Sequence, residues 1–393
     1  MYPTLSDFIR DIFGIDIPLP IQMYGLLVAS AFIIASFILM LEFRRKEREG
    51  IFQIQIRKTQ KGLPATQKQL VIAGIVGFIL GFKIVEAMFY YSDLVASPQE
   101  FVLSFRGNFF GGLIGAGLGA YLKYSEKKKE KLDKPKWVEE EIHLYQMVPN
   151  FLIVAAFFGL LGTKIFGHIE NYKEFAADPI GELFSLNNLA FYGGLIVGGA
   201  ALVVFGKNNG IKPLYMLDSG ATAVALGYGV GRMGCHLAGD GCWGVVNTAP
   251  KPDWMGFLPD WLWSFNYPHN VNNEGIPIHS CSGDHCRVLE APVFPTPLYE
   301  TLMALLIFVI LWNLRKRIHI PGMLFSIFMV MQGLERFFIE KIRVNVEYPM
   351  FGLNVSQAEI ISTFSIFIGV AGIIFLWKRR EKLKTYKDDK AWI

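Results

Sequence analysis

The sequence predicts an all-α, polytopic helical membrane protein with about nine transmembrane helices, and three observations predict it. Of 393 residues, 52% are hydrophobic and only 18% are charged, against about 25% charge in an ordinary soluble domain. Apolar runs of about the 20 residues that a bilayer crossing needs recur from Ile21 to Leu376. The runs are rich in glycine and phenylalanine and lack the period-two alternation of an outer-membrane barrel. This composition excludes a soluble enzyme, a nucleic-acid-binding protein and a disordered scaffold; membrane lipids are expected partners and nucleic acid is not.

Taken in order, the first twenty residues are mixed and acidic, with neither a basic n-region nor a small-residue cleavage site, so no removable signal peptide is expected. Spans are predicted near 21–42, 69–91, 106–124, 147–168, 187–206, 214–234, 297–314, 321–340 and 355–377. Five basic clusters separate them, around Arg44–Lys68, Lys123–Lys136, Lys207–Lys212, Arg315–Arg317 and Lys378–Lys390. They hold 27 of the Lys and Arg residues, whereas the alternate connections hold six, so the positive-inside rule places the clusters in the cytoplasm. Nine spans then give an outside N-terminus and a cytoplasmic C-terminus.

Two segments, from Gly77 and from Phe157, echo each other. Each carries Gly-x-Lys (Gly81 to Lys83, Gly162 to Lys164), a short outer loop and Gly-Gly-Leu-Ile (Gly111 to Ile114, Gly193 to Ile196). The spacings of 81 and 82 residues predict a duplicated two-helix unit. The organisation that follows is 1–68, an N-terminal segment with the first helix and a basic loop; 69–146, an extra repeat unit with a basic linker; 147–234, the second unit and a polar helix. After these come 235–295, a periplasmic loop subdomain; 296–380, the C-terminal helices; and 381–393, a cytoplasmic tail. Helix packing accounts for the glycines at small-xxx-small spacing.

Five basic residues lie within or at the rims of spans: Lys83, Arg106, Lys164, Arg232 and Arg336. A central Arg or Lys costs roughly 3 kcal/mol even on the lenient insertion scale, so such residues face a polar interior or snorkel. Snorkelling suits Arg106. Arg232 sits in Gly227–Gly244, where Gly227, Gly229, Gly231 and Gly234 keep the surroundings open enough for an anionic headgroup. Gln332, Arg336, Glu340 and Arg343 share one helix face. Two guanidiniums meeting at one site would hold a phosphodiester through bidentate bonds and stabilise charge on a departing phosphate. Pro295 and Pro297 place Tyr299 and Glu300 in a first helical turn, where Glu300 either complements the helix dipole or enters the site. The four cysteines, Cys235, Cys242, Cys281 and Cys286, lie in or beside the long outer segment. Disulfide, free thiol and a metal cluster with His279 and His285 all remain open. Trp254, Trp261 and Trp263 suit a headgroup layer. Walker A, dinucleotide, HExxH and GxSxG motifs are absent.

Together these motifs resemble the prolipoprotein diacylglyceryl transferase family. Gly231, Arg232, Gly234, Gly239 and Asp240 stand at places of its Gly-Arg-x-Gly-Asn-Phe-x-Asn-Gly-Glu signature; Met23–Leu26 resembles its Trp-Tyr-Gly-Leu. Phe191–Ile196 resembles Phe-His-Gly-Gly-Leu-Ile, Pro295–Glu300 resembles Pro-Ser-Gln-Leu-Tyr-Glu, and Arg336 with Glu340 matches Arg-Phe-x-x-Glu. The sequence departs from the pattern at Tyr192, which replaces a histidine, at Cys235 and Ala238, which replace asparagines, at Gln332, which replaces a tyrosine, and by one residue added before Trp243. The resemblance implies transfer of a diacylglyceryl group from phosphatidylglycerol to the lipobox cysteine of prolipoproteins, without metal or cofactor, at the outer leaflet of a bacterial inner membrane. It implies Arg232 and Arg336 as the phosphate clamp, with His236 and Asp240 as further catalytic candidates. The pocket it implies comprises Tyr24, Tyr192, Gly193, Gly194, Gly234, Tyr299, Glu300 and Glu340. His236 has the side chain best suited to a base, with Asp240, Glu340 and Tyr192 as alternatives. A secondary transporter for an anionic solute is the alternative function; it predicts repeats over the whole chain, whereas the duplication is confined to the first half.

Overall fold

The structure is a computed structural model that describes residues 1–96, 98–185, 189–281, 283–344, 347–350, 353–384 and 386. Asn345 and most of the tail expected over 381–393 lie outside the described residues. The helices are α1 (Leu5–Phe13), α2 (Met23–Arg48), α3 (Gln67–Phe89), α4 (Tyr91–Ala96), α5 (Pro98–Leu103), α6 (Phe109–Glu130), α7 (Val148–Glu170) and α8 (Tyr172–Ala177). They continue with α9 (Pro179–Phe184), α10 (Phe191–Asn208), α11 (Pro213–Ala238), α12 (Thr296–Leu314), α13 (Met323–Glu340), α14 (Gln357–Lys378) and α15 (Arg380–Leu383). Among the described residues, three two-stranded antiparallel sheets accompany them: β1 (Gln55–Lys61) with β2 (Lys136–Ile142), β3 (Ile276–Pro277) with β4 (Arg287–Val288), and β5 (Glu347–Met350) with β6 (Leu353–Ser356).

Each expected span overlaps one of the long helices. Six are long and apolar enough to cross a membrane by length and composition: α2, α3, Leu144–Glu170 containing α7, α10, α12 and α14. Among the remaining long helices, α6 ends in a Lys/Glu run, and α11 and α13 carry Asp218, Arg232, Glu335, Arg336 and Glu340. Only 6% of the most apolar stretch of α3 is buried; an apolar helix so exposed has lipid as its solvent.

The chain forms two compact units. One comprises Tyr2–Met23 and Gln55–Ile142; the other comprises Met1, Tyr24–Ile54 and His143–Ile393. In the first unit, α3 and α6 pack so closely that a Cβ on Gly81 would lie 2.2 Å from the Gly111 carbonyl oxygen. The basic linker is not free chain: β1 pairs with β2, aligning Arg57 with Glu140 and Lys58 with Glu139. The Glu139–Glu141 run answers the basic strand opposite, as cross-strand charge pairs do. Arg106 does not simply snorkel, because it pairs with Glu86 at 2.9 Å and Asp93 at 2.7 Å.

In the second unit, α7 and α10 repeat the arrangement. A Cβ on Gly162 would lie 2.3 Å from the Gly193 carbonyl oxygen. The duplicated lysines do the same work in both repeats: Lys83 Nζ donates to the carbonyls of Phe101 and Ser104, and Lys164 Nζ to those of Glu182 and Ser185. Phe101 and Glu182 lie in the last turns of α5 and α9, and their carbonyls also accept from Ser104 Oγ at 2.9 Å and Ser185 Oγ at 3.1 Å. Elsewhere in this unit, fully buried Glu42 pairs with Arg315 at 2.5 Å and Arg45 at 2.8 Å. Asp218 accepts from the amides of Gly322 and Phe325 at 2.8 and 2.9 Å, capping α13 from α11.

Candidate active site

The site is assembled where α11, α12 and α13 meet. Pro297 lies in the first turn of α12, and Thr301 Oγ1 donates to the Gly229 carbonyl at 3.1 Å. That seam turns Glu300, fully buried, toward α11. Arg232 Nε stands 3.3 Å from Glu300 Oε2, and Tyr228 donates to Oε1 at 3.2 Å. From α13, Arg336 Nη1 reaches Glu300 Oε1 at 2.8 Å while Nη2 reaches Glu340 Oε2 at 2.9 Å. Arg343, beyond the end of α13, comes within 3.4 Å of Glu300 Oε1. Its backbone is bridged to Gly244, where a Cβ would fall 2.4 Å from the Ile342 carbonyl oxygen, so only glycine admits the approach.

Three guanidiniums share one buried carboxylate, and one carboxylate cannot saturate them. Arg336 Nε, Glu300 Oε2, Glu340 Oε2, Gln332 Oε1 and Glu335 Oε1 are buried without an aligned hydrogen bond among the described residues. They form the majority of such atoms there, and their concentration marks the place where a polar ligand has groups to meet. Planar guanidinium forks suit phosphate or carboxylate oxygens. Glu340 is held by Ser356 Oγ, which donates to Oε1 at 2.6 Å.

The remaining sequence-predicted residues divide. Tyr24 is half-exposed and neighbours Arg232, Cys235, Asp240 and Cys242; Tyr192, at the start of α10, interacts with Arg336. Asp240 Oδ1 accepts from the Cys242 amide at 3.1 Å. His236 is buried in the last turn of α11, its Nδ1 3.1 Å from the Tyr267 hydroxyl and its ring against Phe265, with no described contact to Arg232, Arg336 or Glu300. The expected end of α11 near 234 falls short because the helix runs to Ala238 and stops at left-handed Gly239.

Tyr299 does not face the arginines: its hydroxyl donates to the Leu262 carbonyl at 2.7 Å, tying the segment between α11 and α12 to α12. Gly193 and Gly194 offer no opening for a glycerol on their Cβ sides, where Phe166 and Thr163 of α7 stand 2.4 and 2.5 Å from an added carbon. Gly234 likewise admits α2, with Leu27 at 3.1 Å, and Gly227 and Gly229 admit Ala35 and Ala304; Gly231 alone of that set has open space. Glu300 was expected in the pocket; Tyr228 and Glu335, which border it, are where sequence reading fell short. Tyr228 precedes Arg232 by one helical turn, which was the available signal.

Between α11 and α12, Cys281 and Cys286 form a disulfide, which removes the metal cluster with His279 and His285; Cys235 and Cys242 are free. With Asp240 they place donor atoms within 4.8 Å of one another, a set that could hold a metal ion. The hydrogen bond from Cys235 holds the Cys242 thiol below its ordinary range, whereas burial raises the Tyr267 phenol.

The family model of prolipoprotein diacylglyceryl transferase matches residues 10–138 and 129–376. Relatives named phosphatidylglycerol–prolipoprotein diacylglyceryl transferase occur in Corynebacterium glutamicum (28% identical, covering 60% of this chain and 70% of the relative) and Staphylococcus carnosus (27%, covering 72% and 91%). A third, from Clostridium tetani, is 29% identical over 66% of this chain and 90% of the relative. The match extends over both repeat units and over every arginine of the site, and the chain therefore belongs to the prolipoprotein diacylglyceryl transferase family.

Proposed function

We propose that this protein transfers the sn-1,2-diacylglyceryl group of phosphatidylglycerol to the lipobox cysteine thiol of prolipoproteins. The observation that carries the reading is the convergence of Arg232, Arg336 and Arg343 on Glu300. Glu300 and Glu340 hold the Arg336 fork in place, and N–H groups they leave unmatched are available to a phosphodiester. The acceptor sulfur forms a bond to the terminal glyceryl carbon as the carbon–oxygen bond to phosphate breaks. Glycerol phosphate leaves with one more negative charge, which the guanidiniums neutralise. The thiol proton goes to a base. Glu340 and Tyr192 both adjoin Arg336, whereas His236 is turned into an aromatic wall; this favours Glu340, a carboxylate, as acceptor.

The reading places all nine long helices across a bacterial cytoplasmic membrane, with the arginine site at the outer leaflet and basic loops inside. The transporter alternative finds no support in the relatives, which are named as transferases. The test incubates purified protein with phosphatidylglycerol and a lipobox peptide and follows the cysteine by mass spectrometry. The expected product carries one diacylglyceryl group on sulfur, and Arg232→Ala or Arg336→Ala lowers its rate by about 10²-fold or more. An unmodified peptide with folded protein, or near-full activity in both variants, sinks the assignment.

A further inference from the structure

Cys235 and Cys242 belong to no step above, yet the fold brings them together. Cys235 is buried in the last turn of α11. Gly239 and Gly241, at φ 65° and 86°, then reverse the chain, conformations that glycine adopts without penalty. The returning Cys242 is fixed through its backbone: its amide donates to Asp240 Oδ1 at 3.1 Å, and its carbonyl accepts from Thr296 Oγ1 at 2.8 Å. The two sulfurs lie within 4.8 Å of each other and are hydrogen-bonded. Cys242 is partly exposed. Such a pair, an accessible thiol backed by a buried one, is the arrangement that thiol–disulfide exchange uses.

We infer that Cys242 and Cys235 are a nucleophilic and a resolving thiol that exchange reversibly with small disulfides, closing a Cys235–Cys242 bridge beside Arg232. Cys242 thiolate attacks one sulfur of a dialkyl disulfide, forming a mixed disulfide and releasing the first thiolate. Cys235 then gives up its proton and attacks the Cys242 sulfur, releasing the second. The cysteine pair loses two electrons, the small disulfide gains them, and two small thiols leave protonated. A metal ion is the rival occupant, but Arg232 and Arg343 border the cluster and repel a dication. The bridged Cys281–Cys286 pair in the segment between α11 and α12 indicates an oxidising face.

Arg232 and Tyr24 adjoin both thiols, so bridge closure also alters the arginine site. This second consequence rests on the transferase reading, whereas the exchange itself does not. The experiment equilibrates the purified full-length protein in detergent with reduced and oxidised glutathione, quenches it by alkylation and maps cysteines by mass spectrometry. Expected are both free thiols alkylated at the reducing end and a Cys235–Cys242 linked peptide at the oxidising end. Cys235→Ser is expected to trap a glutathione adduct on Cys242. Two alkylatable thiols under full oxidation, a bridge from Cys242 to Cys281 or Cys286, or tightly held zinc that protects both thiols would each overturn the inference. In the transfer assay, the two redox forms are expected to differ in KM for phosphatidylglycerol by about threefold or more. Equal KM values with the bridge formed remove the link to the arginine site. A protein that exchanges disulfides but lipidates nothing counts against the transferase reading alone.

Discussion

Glu300 positions the arginines, and its own removal is the sharpest residue-scale test. With the carboxylate gone, buried guanidiniums face one another unmatched, a change that costs about 3–5 kcal/mol in comparable buried pairs. Glu300→Gln is therefore expected to lower the thermal midpoint in detergent and to cut lipid transfer by tenfold or more, as roughly expected from misplaced charge. Glu300→Asp is expected to recover part of the transfer rate and less of the stability, because the shorter side chain keeps charge but loses reach. Tyr299 makes the contrast. Its hydroxyl ties α12 to Leu262 and not to the arginines, so Tyr299→Phe is expected to cost about 1 kcal/mol of stability and to leave transfer within a few-fold. A large selective loss of kcat would show that the tyrosine does more than hold the loop.

At the scale of elements, the repeats are held by two devices: glycine seams and lysine-capped short helices. α7 and α10 touch backbone to backbone at Gly162 and Gly193, contact that only small residues permit. Gly162→Leu is expected to force the pair apart and abolish folded yield, measured by size-exclusion chromatography in detergent. Lys164 gathers carbonyls of Glu182 and Ser185 just as Lys83 gathers those of Phe101 and Ser104. Lys164→Met removes one donor from those acceptors, at about 1 kcal/mol, and the expected drop in thermal midpoint should be matched by Lys83→Met. Unchanged stability in both would mean that water meets the carbonyls as well as lysine does.

For the whole molecule, every residue of the arginine site lies in the unit formed by Met1, Tyr24–Ile54 and His143–Ile393. The stretch 55–142 begins and ends on paired strands, Gln55 opposite Ile142, so its ends lie side by side. Excising 55–142 and joining Ile54 to His143 is expected to leave measurable transfer, since the chain that carries α3 to α6 leaves and returns through the same point. Complete loss of activity with retained fold would give that stretch a part in the reaction. Topology is checked by fusions: a fluorescent reporter after Trp377 is expected to light up in the cytoplasm, and one inserted at Lys251 to stay dark.

By itself the sequence determined the solvent, the positions of the long helices, the duplication and the two arginines Arg232 and Arg336. Each of these depends on local pattern: apolar run length, charge alternation across loops, an 81-residue echo, and the cost of a guanidinium in hydrocarbon. Only the tertiary structure decided what those arginines share. Glu300 lies 68 residues after Arg232 and 36 before Arg336, and no spacing rule joins three helices at one carboxylate. The same holds for the glycines: a small residue reads identically whether its missing side chain makes room for a lipid or for a neighbouring helix. Here the space beside Gly193 and Gly194 is filled by α7. His236 had the most suitable side chain for a base, but helix phase and the aromatic wall of Tyr267 and Phe265 turned it away. Side-chain chemistry is a property of the residue, whereas access to a reacting atom is a property of everything packed around it.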